Sequence, residues 1–252
     1  IMTSDTKGNL SVNSFSNGIH SPQWSLDLNV SVNSARLDDA QQLVAVAHDE
    51  GVSIVLLSFQ IVTRNISISW PVDSVDWDDA GDLWFAHYAG RRRAEEYSPE
   101  GATGVVTNAI TAGLSAFMIL DDGRIVTGSY DTKVYISDDG GGLINSLTDS
   151  NSIIKVLFED SNGDLIVGNT NGKLFRYDTN TWAVETLTLP HGKAISSIQQ
   201  YDNSTYAIGS KSGHISIVDV STFSEQNTLV ATGYSIGSFQ DYTTAIYLAT
   251  TT

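Results

Sequence analysis

The sequence contains no cysteine, which excludes disulfides and thiolate metal sites. Its four prolines, Pro22, Pro71, Pro99 and Pro190, are scattered instead of gathered in a linker, so residues 1–252 are expected to form one domain. No apolar run approaches the roughly 18 residues that cross a bilayer as a helix, and membrane insertion is not expected. Basic residues are few, 13 Lys and Arg against 29 Asp and Glu, for a net charge of −16. Such a balance lacks the broad basic footprint of a general nucleic-acid binder. No basic-then-apolar leader precedes Gly8, as expected of a mature form, a domain or a trimmed chain.

What the chain does have is aspartate, 22 copies against 7 of glutamate. Asp caps its own backbone in tight turns, so the excess points to a turn-rich β protein. Six lysines beside abundant Ser and Thr also suit a surface kept hydrated in salty or extracellular conditions. The expected location is therefore extracellular, cell-surface or virion. Asn-x-Ser/Thr sequons occur at Asn9, Asn29, Asn65 and Asn203, as chance produces in a chain of this composition.

The chain also repeats. Aligned on the end of the second strand of each unit, the small residues Ala47, Ala86, Gly128, Gly168, Gly209 and Ala249 are spaced 39, 42, 40, 41 and 40 apart. A steady period of about forty residues with four short strands is the signature of a propeller blade. In the fifth unit strand a is read over 194–200, b over 205–209, c over 214–220 and d over 226–231. Complete units fall near 30–69, 70–110, 111–150, 151–191 and 192–232. The remainder, 233–252, supplies only strands a and b, and residues 1–29 supply c and d. The expected fold is an all-β, six-bladed propeller of four-stranded antiparallel blades, its ring closed by the two termini sharing one blade, which removes open edges.

FEDSNGDLIVGNTNGKLFRYD (158–178) resembles the repeats of two-component-regulator propellers. VYISDDGGG (134–142) is similar to the Asp-box turn of sialidase-type propellers, with Ser137, Asp139 and Gly141 in matching places. As architecture the whole chain resembles the WD-repeat and quinoprotein-like propeller superfamily. The Gly-His and Trp-Asp marks of WD repeats are missing, and Ile144 replaces the Asp-box aromatic. The resemblance implies that b–c and d–a turns share one face, with a–b and c–d turns on the other.

That rule sorts the charges. The b–c turns hold Lys7, Arg91, Arg92, Arg93, Lys133, Lys173 and Lys211, whereas the a–b turns are filled with aspartates. The candidate binding residues are Arg91, Arg92, Arg93, His48, His87, Tyr88, Tyr130, Lys133, Lys173, Lys211 and His214. Three consecutive arginines on a c strand cannot all be buried, because an unpaired buried guanidinium is very costly. They pair locally with Glu95, Glu96 or turn acids, or they face a carboxylate-rich partner, another copy's acidic face or an anionic glycan. His48 and His87 occupy equivalent positions in adjacent units. No catalytic constellation, metal loop or cofactor motif is found, so no catalytic residue, metal or cofactor is assigned.

The function expected from these residues is a non-enzymatic binding and assembly module, a protein-interaction scaffold in a surface, envelope or virion structure. The alternatives are a hydrolase or lyase acting on a sugar or lactone in a central channel, and a ligand-sensing propeller.

Overall fold

The computed structural model describes residues 2–4, 8–16, 19–38, 42–68, 71–78, 81–87, 94–98, 101–106, 112–230, 235–242 and 245–251. Regular structure among them is entirely β, and no helix is long and apolar enough to cross a membrane. β1 (Met2–Ser4), β2 (Asn9–Ser16) and β3 (Ile19–Asp27) form a three-stranded sheet. Five four-stranded sheets follow, each pairing its strands in chain order. They are β4 (Val32–Asp38) to β7 (Ile61–Ser67) through β5 (Leu43–His48) and β6 (Gly51–Leu56), then β8 (Val72–Trp77), β9 (Leu83–His87), β10 (Ala94–Ser98) and β11 (Gly101–Val106). The third is β12 (Leu114–Ile119), β13 (Ile125–Ser129), β14 (Val134–Ser137) and β15 (Leu143–Leu147). The fourth is β16 (Ile154–Glu159), β17 (Leu165–Asn169), β18 (Lys173–Tyr177) and β19 (Val184–Thr188). The fifth is β20 (Ile195–Asp202), β21 (Thr205–Ser210), β22 (His214–Asp219) and β23 (Ser224–Val230), and β24 (Ser235–Tyr242) pairs with β25 (Ala245–Thr251).

The strands agree closely with the repeat read from sequence, with one difference. Residues 1–29 carry β1 in addition to the expected pair, with Met2 opposite Val12. In the second repeat the described part of the third strand is Ala94–Ser98, and Tyr88, Arg91, Arg92 and Arg93 lie outside the described residues.

By compactness the chain falls into two units, Ile1–Ile125 with Ser137–Ile144, and Val126–Ile136 with Asn145–Thr252. In the first, Ala45, Ala47, Val52 and Ile54 pack against Val72, Val75, Leu83 and Phe85. The alternate residues Val44, Val46 and Val55 pack on Leu10, with Trp24 and Leu26 alongside. Period-2 alternation sends successive side chains to opposite faces, and here both faces are covered, which is why β5 and β6 read as nearly continuous apolar runs. In the second unit Ile166 and Leu174 meet Ile195, Ile198, Tyr206, Ile208 and Val218.

The repeated small residue has a packing cause. A Cβ on Gly168 would stand 2.8 Å from Cγ2 of Ile195, the first residue of the next sheet. Val72, Ile154 and Ile195 open their sheets in the same way, and all three are fully buried.

The aspartates hold turns. Asp78 accepts Asp82 N at 2.9 Å, Asp160 Oδ1 accepts Asn162 N and Asp164 N, and Asp202 accepts Ser204 N. Asp138, rather than the Asp139 of the Asp-box match, accepts Gly142 N at 2.5 Å. Asp178 and Asp219 cap their turns likewise.

Candidate protein-interaction site

In the second unit the strand register fixes which turns lie together. Ile154 pairs with Asn169 and Lys173 with Thr188, so the starts of strands a and c share an end with the finishes of b and d. Three turns meet there: 170–173, 189–194 and 210–214. Their backbones are tightly held. Asn169 Oδ1 accepts Asn171 N and Lys173 N, Leu189 N donates to Gly172 O, and Lys211 N donates to Ala194 O. Gly172, at φ +73°, approaches the neighbouring turn so closely that an added Cβ would lie 3.0 Å from Gly192 Cα and from Lys193 N. Lys193 and Lys211 are exposed, Lys173 is half-buried, and among the described residues none of the three forms an ion pair. The three turns contain no Asp and no Glu.

His191 and His214 stack at their centre, ring centroids 5.3 Å apart and planes 23° from parallel. His191 Nδ1 accepts Lys193 N at 3.0 Å, which places the proton of the neutral ring on Nε2. That Nε2 is buried without a hydrogen-bond partner. Burial chiefly, then His214, pulls the His191 pKa below its usual value, with Lys193 adding and Glu225 opposing. His214 Nδ1 bonds Ser212 Oγ at 2.8 Å, and its backbone N donates to Ser210 Oγ. Across the strand pair His214 faces Val230, which is 71% exposed.

The third sheet adds Lys133 and Tyr130 from the turn before β14, and Lys155 of β16 places Nζ 5.3 Å from the Tyr130 ring centre, within cation–π range. The acids nearby are occupied: Asp131 accepts Tyr135 OH at 2.7 Å and Asp149 accepts Tyr177 OH at 3.1 Å. Burial, then the Asp149 charge, drives the Tyr177 pKa upward, so this phenol stays a donor. Five of the six lysines of the protein, Lys133, Lys155, Lys173, Lys193 and Lys211, belong to the second unit.

His48 has another setting. It is buried, its Nδ1 accepts Glu50 N, and its Nε2 lies 3.0 Å from Ser53 Oγ, which donates to Asn65 Oδ1. Among the described residues the position after the repeated small residue recurs as a turn cap: Ser129 Oγ accepts Asp131 N, as Asn169 and Ser210 cap theirs. His87 shares this position, and its side chain lies outside the described residues, as do Tyr88, Arg91, Arg92 and Arg93. Of the candidates, the fold brings Lys173, Lys211 and His214 into one patch. It adds Lys193, His191 and Val230, which charge counts over b–c turns alone do not reach.

In the first unit the aspartates line a cleft of about 320 Å³ with Trp84, Ile119 and Gly123. Asp78 there is engaged through both oxygens, by Asp82 N and Trp84 Nε1, and Asp122 is paired with Arg124. Asp76 on β8 is likewise committed, accepting Ile119 N and lying 3.7 Å from Arg36, while burial raises its pKa. Among the described residues no three His, Cys, Asp or Glu are grouped to hold a metal ion.

Fold and pattern together define a β-propeller of four-stranded antiparallel sheets. The chain is similar to the WD40 β-propeller domain of Doa1, with TM-score 0.82 at 15% identity over 99% of this chain and 85% of that one. It is also similar to the computationally designed Ika8 protein, with TM-score 0.77 at 14% identity over 98% of this chain and 76% of that one. No protein-family model and no curated protein matches the chain.

Proposed function

We propose that this chain is a non-enzymatic binding and assembly module, a scaffold within a surface, envelope or virion structure, and that it engages a protein partner through the lysine-bearing turn face of its second unit. The observation that carries this is the patch of Lys173, Lys193 and Lys211, free of ion pairs among the described residues and without an acid in the three turns that hold it, in a chain of net charge −16. Turns fixed on a stiff β scaffold present a preorganised surface, which lowers the entropic cost of association. The lysine-poor, Ser- and Thr-rich composition supports the surface setting.

Cross-linking mass spectrometry with an amine-reactive reagent, on the protein in its native particle or extract, tests the assignment. Links from Lys173, Lys193 or Lys211 to another protein are expected. Their absence, with links to other proteins formed elsewhere on the chain, overturns it.

A further inference from the structure

Resting on the interaction face proposed above, we infer that its partner presents an acidic peptide segment with one apolar side chain among its carboxylates, the carboxylates over Lys173, Lys193 and Lys211 and the apolar group against Val230. Charge complementarity is the first ground. A chain with 29 acidic residues keeps Asp and Glu out of residues 170–173, 189–194 and 210–214 altogether, so an approaching carboxylate meets three cations and no repelling group in the turns themselves. The second ground is the histidine pair. The His191 Nε2–H is buried with no acceptor, so the positive end of this dipole, though opposed by the Glu225 charge, is bonded to nothing and favours negative charge at the patch.

The apolar ground is Val230. It is 71% exposed beside His214, and a partner side chain laid on it would be removed from water at the edge of the cationic ring. Apolar contacts surrounded by charge are the arrangement in which short motifs gain specificity as well as steering. The patch favours a peptide over an acidic glycan because the three turns contain no Phe, Tyr or Trp on which a sugar ring could stack.

The full chain is titrated by fluorescence anisotropy with a labelled dodecapeptide of Glu and Asp around a central Leu. Its Leu-free version, a Lys-rich peptide and a heparin-derived oligosaccharide serve as controls. The Leu-containing acidic peptide should bind best and the Lys-rich one should not bind. Raising salt from about 50 to about 300 mM should weaken the acidic peptide by roughly ten-fold, because exposed charge pairs are screened. The Lys173→Gln/Lys193→Gln/Lys211→Gln variant should lose a similar factor, and Val230→Ser should abolish the advantage of the Leu. Unchanged binding by a triple variant that keeps its circular dichroism overturns the inference, as does binding of the oligosaccharide alone. Should the triple variant fail to fold, the salt titration of the unaltered protein decides, and salt-insensitive binding overturns the inference. If the acidic peptide fails while cross-links still arise from these lysines, the acidic partner is wrong and the interaction module stands.

Discussion

His48 and His191 show how one residue type serves two ends in this protein. His48 is a wholly engaged turn cap, whereas His191 is half engaged and stacked on a second histidine. Burial disfavours the charged form of both, so each folded pKa lies below the usual 6.5. Below that value the unfolded chain takes up protons first. The stabilising contribution is therefore complete above about pH 6.5 and declines as pH falls from there through the folded pKa. Urea midpoints at pH 7.5 and 5.5 should show a drop on acidification, and His191→Gln should show a smaller one. An equal drop in the variant would mean that His191 does not contribute. Asp160 illustrates the other recurrent device. It caps its own turn with one oxygen and takes the buried Tyr206 OH with the other at 2.5 Å, joining two sheets of the second unit through a single carboxylate.

At the scale of the element, the informative feature is the small residue that closes each second strand. At Gly168 there is no room for a side chain, because Ile195 of the next sheet fills the space. The forty-residue period is thus a packing period: the small residue leaves a flat spot, as at Gly168, and Val72, Ile154 and Ile195 each open a following sheet as a buried aliphatic residue. Gly168→Val should overpack this junction and destabilise the protein by about 1–3 kcal/mol, read as a lower urea midpoint with far-UV circular dichroism retained. Wild-type stability in that variant would show that the sheets can part at the junction without loss. The neighbouring Asn169 carries the turn that holds Lys173, so sheet packing and the interaction patch are adjacent in the chain.

For the whole molecule, the two ends of the chain carry the strands left over from the five four-stranded sheets. We propose that the strands of residues 1–29 and of residues 235–251 share one blade, since among the described residues the first range carries three strands and the second two, β24 and β25, and an unpaired strand edge invites association. Deleting residues 1–29 should then give an aggregation-prone chain in size-exclusion chromatography. A monodisperse deletion variant with unchanged thermal stability would refute the shared blade.

The sequence by itself determined the strands of the repeat and their order, β1 excepted, because those depend on neighbours a few residues apart: alternation of apolar side chains, aspartates capping their own backbone, and a small residue once per forty. In the fifth unit the third strand, expected over 214–220, forms over His214–Asp219. The tertiary structure decided what counting could not. His191 and His214 are 23 residues apart in the chain and touch only because two sheets pack side by side. Lys193 joins Lys173 and Lys211 only because Gly172 lets its turn close on residue 192. His48, a candidate binding residue by its place in the repeat, has its ring nitrogens committed to Glu50 N and Ser53 because the third strand returns beside it. Local chemistry fixes elements, whereas a binding surface is a set of side chains from distant turns, and only sheet packing determines which turns become neighbours.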